Sequence, residues 1–92
     1  MAEVVWLRRA VTNLSEIAAY IALDNQSAAL ATRRRLQQLG DSLASLPHRG
    51  RPAVGGAREL VGTQPYVIRY RVSDDGQTVT ILAVRHTRRR PL

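Results

Sequence analysis

The residues able to do chemistry crowd into the last third of this 92-residue chain. There lie the guanidinium groups of Arg58, Arg69, Arg71, Arg85, Arg88, Arg89 and Arg90, the imidazole of His86 and the carboxylate of Glu59. Arginine stays charged at any physiological pH, and its planar fork grips phosphate or carboxylate. A histidine or a glutamate beside such forks could move a proton. Glu59 is equally readable as an ion-pair partner, and His86 as a structural histidine at a strand end. The chain has no cysteine, which excludes disulfides and thiolate metal sites. Its Gly-rich stretch lacks the Lys-Ser/Thr of a phosphate-cradling loop. No metal or cofactor is implied.

These residues need strands to position them. Arg58 to Val61 is a short β-run, joined through Gly62-Thr63-Gln64-Pro65 to Tyr66–Val72, which is rich in β-branched and aromatic residues. Asp74-Asp75-Gly76-Gln77 reads as a tight turn, with Asp-Gly supplying the φ > 0 positions. Thr78 to Arg85 runs back. Alternation sends Tyr66, Ile68, Tyr70 and Val72 to one face and Val67, Arg69 and Arg71 to the other. Strict alternation in the last strand groups Thr80, Leu82, Val84 and His86 against Val79, Ile81, Ala83 and Arg85. Both sets are largely apolar. An arginine-edged hydrophobic groove over Val67, Val79, Ile81 and Ala83 is therefore expected on the face away from any helices, and it invites a partner segment.

The N-terminal half supplies the helices. Val4-Val5-Trp6 fits a short first strand, with Trp6 an anchor between sheet and helix. From Leu7 to about Leu23, Ala10, Leu14, Ile17, Ala18 and Ile21 recur at helical spacing. Asp24-Asn25 breaks that helix and offers a cap for the next. A second helix over about 26–45 carries Ala29, Leu36, Leu39, Leu43 and Leu46 on one stripe, while Arg33-Arg34-Arg35 reads as a solvated face. Two short-linked helices of this kind make an antiparallel hairpin. The loop from Pro47 to Ala57, with three glycines and two prolines in eleven residues, reads as a connector.

Composition bounds the partners. One domain spanning 1–92 fills the whole length, with no room for a second core. All 14 basic residues are arginine, and the formal charge is +7. Nucleic acid, an acidic protein, or an acidic surface of a larger machine all fit such a charge. The segment MAEVVWLRRAV has neither a signal peptide's apolar core nor a membrane anchor's length, so a cytoplasmic location with no membrane partner is expected.

The ordered set of elements resembles the RelE/ParE superfamily of type II toxin–antitoxin toxins. It runs through Ala10, Leu14, Ile17 and Tyr20-Ile21, Ala28-Ala29, Leu46-Pro47 with Gly50-Arg51-Pro52, and Gly56 with Arg58-Glu59-Leu60. It continues through Pro65 to Val72 and closes on Val79 to His86 with Arg88. The resemblance implies an α+β fold, with a short N-terminal strand and a helical hairpin on one face of a three- to four-stranded, mainly antiparallel sheet. It also implies a cognate antitoxin with an acidic C-terminal segment and a toxin–antitoxin hetero-oligomer. Two activities occur in the superfamily. RelE-like members cut mRNA on the ribosome, which here would fall to Arg69, Arg71, Arg85 and His86. ParE-like members act on DNA gyrase without being known as enzymes. The Pro65–Val72 pattern and the arginine-rich tail look more like the ParE branch. Partner-binding candidates are then Arg58, Val67, Arg69, Arg71, Val79, Ile81, Arg85, Arg88, Arg89 and Arg90. A binding module that has lost toxicity is a third possibility.

Overall fold

A computed structural model describes residues 1–88. Strand β1 (Glu3–Trp6) leads into helix α1 (Arg8–Ala22), then helix α2 (Gln26–Asp41) and a 3-10 turn at Ser42–Ala44. Strands β2 (Arg51–Pro52), β3 (Arg58–Thr63), β4 (Tyr66–Val72) and β5 (Thr78–His86) follow. The five strands form one sheet in the order β1-β5-β4-β3-β2. Only the β1–β5 pairing is parallel. The α+β layout is the expected one. The sheet gains a fifth strand because Arg51 and Pro52 of the Gly/Pro loop pair with Glu59 and Arg58.

Local chemistry sets the boundaries. Asn25 caps α2, its Oδ1 accepting from the Ala28 N–H at 2.9 Å. In the β4–β5 hairpin only Gly76 takes a positive φ, of 72°, so Asp-Gly supplies one such position rather than two. The Gly76 N–H donates to the Ser73 carbonyl, and the Asp75 carboxylate accepts from the Ser73 hydroxyl and the Gln77 N–H. Those two bonds hold the Asp75 carboxyl below its usual range, the Ser73 hydroxyl contributing most.

Both helices cover the same face of the sheet. Ala10, Leu14, Leu36 and Leu43 form one buried cluster with Leu60, Ile68, Tyr70, Val79, Ile81 and Val84. Trp6 closes its edge. Its Nε1 donates to Asp41 Oδ1 at 3.0 Å, and its ring lies over Gly40. A Cβ built on Gly40 would stand 2.4 Å from Trp6 Cζ2, so α2 approaches β1 only because that side chain is absent.

The expected alternation in β5 is corrected by a bulge. Arg69 pairs with Ala83 but Tyr70 pairs with Ile81, leaving Leu82 as an extra residue. The bulge shifts the phase of the strand. Val79 and Ile81 before it, and Val84 and His86 after it, share the helical face with Val72, Tyr70, Ile68 and Tyr66. Val79 and Ile81 are fully buried under the helices and do not line an open groove.

Candidate functional site

The face of the sheet turned away from the helices carries the charged side chains. Register places Glu59 opposite Arg69, Val61 opposite Val67, Val67 opposite Arg85, and Arg71 opposite Thr80. Directly opposed residues share a face. Arg69 and Arg71 therefore share this face, as alternation in β4 predicted, and Arg85 joins them from β5.

Each of the three has an intramolecular partner. Arg85 Nη2 stands 3.0 Å from Glu59 Oε2, and Arg51 Nη2 stands 3.5 Å from Glu59 Oε1. The Glu59 side chain is only 12% exposed. The Arg85 hydrogen bond, with the positive charges of Arg85 and Arg51, outweighs the cost of burial and holds its carboxyl below the ordinary value of 4.5. Glu59 is thus an ion-pair residue here, not a waiting base. Its bridge to Arg85 spans β4 from β3 to β5. Val67, on that strand and that face, is 1% exposed and offers no binding surface.

Arg69 and Arg71 hold a turn against the sheet. Arg69 Nη2 donates to the Val54 carbonyl at 3.0 Å, and Arg71 Nη1 donates to the Gly55 carbonyl. Gly55 and Gly56 take φ values of 73° and 76°, which other residues adopt only with strain. The Gly/Pro loop is therefore more than a connector, since its turn covers one end of the expected groove.

An open cleft sits at the bulge. Leu82 and Ala83 line it, with Arg69, Arg85 and Arg9, and its volume is about 320 Å³. Arg9 was not among the site residues expected from the sequence. It reaches the site because the Leu7 N–H donates to the Ile81 carbonyl at 3.0 Å, tying the start of α1 to the bulge. No local sequence signal announces that bond.

Two other candidates stand elsewhere. Arg58 is paired with Tyr70 and faces the helical side. Its Nη1 donates to the carbonyls of Gly50 at 2.6 Å and His48 at 3.2 Å, anchoring the loop. His86 is paired with Tyr66, again on the helical side, and meets that ring edge-on at 5.5 Å. His86 Nδ1 accepts from the Arg88 N–H at 3.1 Å. With Nδ1 an acceptor, the neutral ring carries its proton on Nε2 and has no lone pair there to act as a base. The nuclease set is therefore divided: Arg69 and Arg71 lie across the sheet from His86, while Arg85 also lines the cleft beside it. Arg88 is exposed. Arg89 and Arg90 lie outside the described residues. Among the described residues there is no metal-ligand cluster, and no helix is long and apolar enough to cross a membrane.

Comparison with known proteins agrees with this architecture. Residues 4–91 match the family model for the ParE toxin of the type II toxin–antitoxin system parDE. The chain is 46% identical over 89 residues to Toxin RelE2 of Caulobacter vibrioides, covering 97% of this chain and 99% of that one. Among solved structures, a chain of the chromosomal ParDE toxin–antitoxin system from P. aeruginosa superposes with a TM-score of 0.81 at 26% identity. That match covers 94% of this chain and 96% of the other. A chain of the toxin–antitoxin complex RelBE2 from Mycobacterium tuberculosis shares the fold, with a TM-score of 0.69 at 22% identity. Coverage there is 92% of this chain and 96% of that one.

Proposed function

The chain belongs to the ParE toxin family of type II toxin–antitoxin systems, and from that premise we propose that it arrests growth by acting on DNA gyrase. It does so by surface recognition rather than by catalysis. Arg9, Arg69 and Arg85 around the bulge cleft engage an acidic or DNA-bearing surface of the topoisomerase, with Arg88 and the residues after it adding charge. A cognate antitoxin with an acidic C-terminal segment neutralises it in a hetero-oligomer, its carboxylates matching the same guanidinium groups.

The separation of His86 from Arg69 and Arg71 carries this reading. Metal-free RNA cleavage needs a base, cations for the phosphorane and an acid for the leaving oxygen within reach of one phosphate. Here Arg69 and Arg71 are on one side of the sheet and His86, on the other, has only Arg85 beside its cleft. The competing reading, a ribosome-dependent mRNA endonuclease, draws on the name of the Caulobacter relative.

Induced expression without a partner separates the readings. A gyrase poison raises the DNA-damage response while translation continues. A nuclease collapses translation first and leaves new 5′ ends on translating messages. Growth without arrest overturns both and leaves a binding module.

A further inference from the structure

A second cleft lies on the helical side, between α1 and the C-terminal end of β5, and apart from Arg85 at its edge it has no part in the gyrase reading. Its volume is about 260 Å³. That is below the roughly 300–1,000 Å³ of pockets for drug-sized ligands, so it suits a single planar ring system. Tyr66 and His86, in mutual edge-to-face contact at 87°, form one aromatic corner of it. The polar groups come from α1. Asn13 and Glu16, three residues apart, project from the same side of the helix into the cleft.

Their hydrogen-bonding roles are already sorted. Asn13 Oδ1 accepts from the Val84 N–H at 3.0 Å, so its amide NH₂ is left as the group to donate. The Glu16 carboxylate has no hydrogen bond or ion pair among the described residues, and it can only accept. The cleft therefore offers a donor beside a two-oxygen acceptor. Arg85 stands at its edge, and Arg88 follows two residues after His86.

We propose that this cleft binds a guanine base extruded from single-stranded nucleic acid. The Watson–Crick edge of guanine presents O6 as acceptor, then N1–H and the N2 amine as donors. Asn13 Nδ2 would donate to O6, and Glu16 would accept from N1–H and N2–H. Adenine presents a lone pair at N1, where it would face the carboxylate, so it is refused. Reading a splayed base by its edge, with its face against an aromatic side chain, is the way single strands are recognised with sequence preference. Arg88, two residues after His86, would meet the phosphate, a contact that every base shares.

The test compares a short labelled oligoadenylate with the same oligomer carrying one central guanine, in DNA and in RNA form, at fixed salt, using the full chain. The guanine oligomer is expected to bind at least about tenfold more tightly in one or both forms. The form that shows the preference identifies the source of the base. Glu16→Gln, at an exposed helical position, removes the preference, because its amide can donate to adenine N1 where the carboxylate could not. Asn13→Asp keeps an acceptor for the Val84 N–H but loses the donor to O6, and abolishes the preference as well. Equal affinity for the two oligomers, or a preference that survives both substitutions, overturns the proposal. Binding is the only readout, so the result is independent of what the toxin does to gyrase.

Discussion

The two faces of this sheet are held by different chemistry. On the helical face Ile68, Tyr70, Ile81 and Val79 are fully buried against Leu36 and Leu43, and area removed from water does the stabilising. On the open face Arg69, Arg71 and Arg85 each satisfy a local oxygen, and little apolar area is involved beyond Val67. The first face tolerates almost no change. The second trades small, screened energies, and a partner can compete for them. A 92-residue chain can thus present a strongly cationic surface without placing its stability there.

Four substitutions sharpen or break that contrast, from the largest effect to the smallest. Ile68→Ala, at a fully buried position, is expected to lose about 2–5 kcal/mol in denaturant titration. Gly40→Ala drives a methyl into the Trp6 ring and is expected to cost about 1–3 kcal/mol, with a shift in the emission of the only tryptophan. Glu59→Gln weakens the bridge between Arg51 and Arg85, and a loss of about 1–2 kcal/mol near neutral pH is expected. Arg71→Ala, at an exposed position holding a backbone carbonyl, should change stability by only about 0.5 kcal/mol. If Arg71→Ala proved as damaging as Ile68→Ala, the division of labour between the faces would be wrong.

Glu59 adds a pH signature. Its folded carboxyl titrates below its ordinary value of 4.5, so around and below that pH the unfolded chain binds more protons than the folded one. The stability it contributes is complete above about 4.5 and is lost as pH falls through the lowered value. The difference between the native chain and Glu59→Gln should therefore shrink on acidification. A difference that grew would contradict the ion pair.

The sequence disclosed these faces unequally. In β4 the arginines and the large apolar residues alternate without interruption, so Arg69 and Arg71 could be assigned to the open side from pattern alone. In β5 both alternating sets are apolar, and nothing in Thr80-Ile81-Leu82-Ala83 marks Leu82 as the residue that bulges. The phase error that follows moved Val79 and Ile81 to the wrong side. The helical stripes of α1 and α2 were legible because their spacing is regular. Arg9 and the Glu59–Arg85 bridge were not, because each joins elements far apart in the chain, and pattern is silent on such contacts.

The gyrase reading is tested most directly by supercoiling with purified gyrase and purified toxin, recording cleaved DNA alongside. The native chain is expected to inhibit supercoiling and accumulate cleaved complexes. Arg9→Ala with Arg69→Ala should weaken both effects at least about tenfold, while His86→Ala leaves them unchanged. An undiminished supercoiling rate at saturating toxin would contradict the account, as would inhibition that depends on His86 rather than on the open-face arginines.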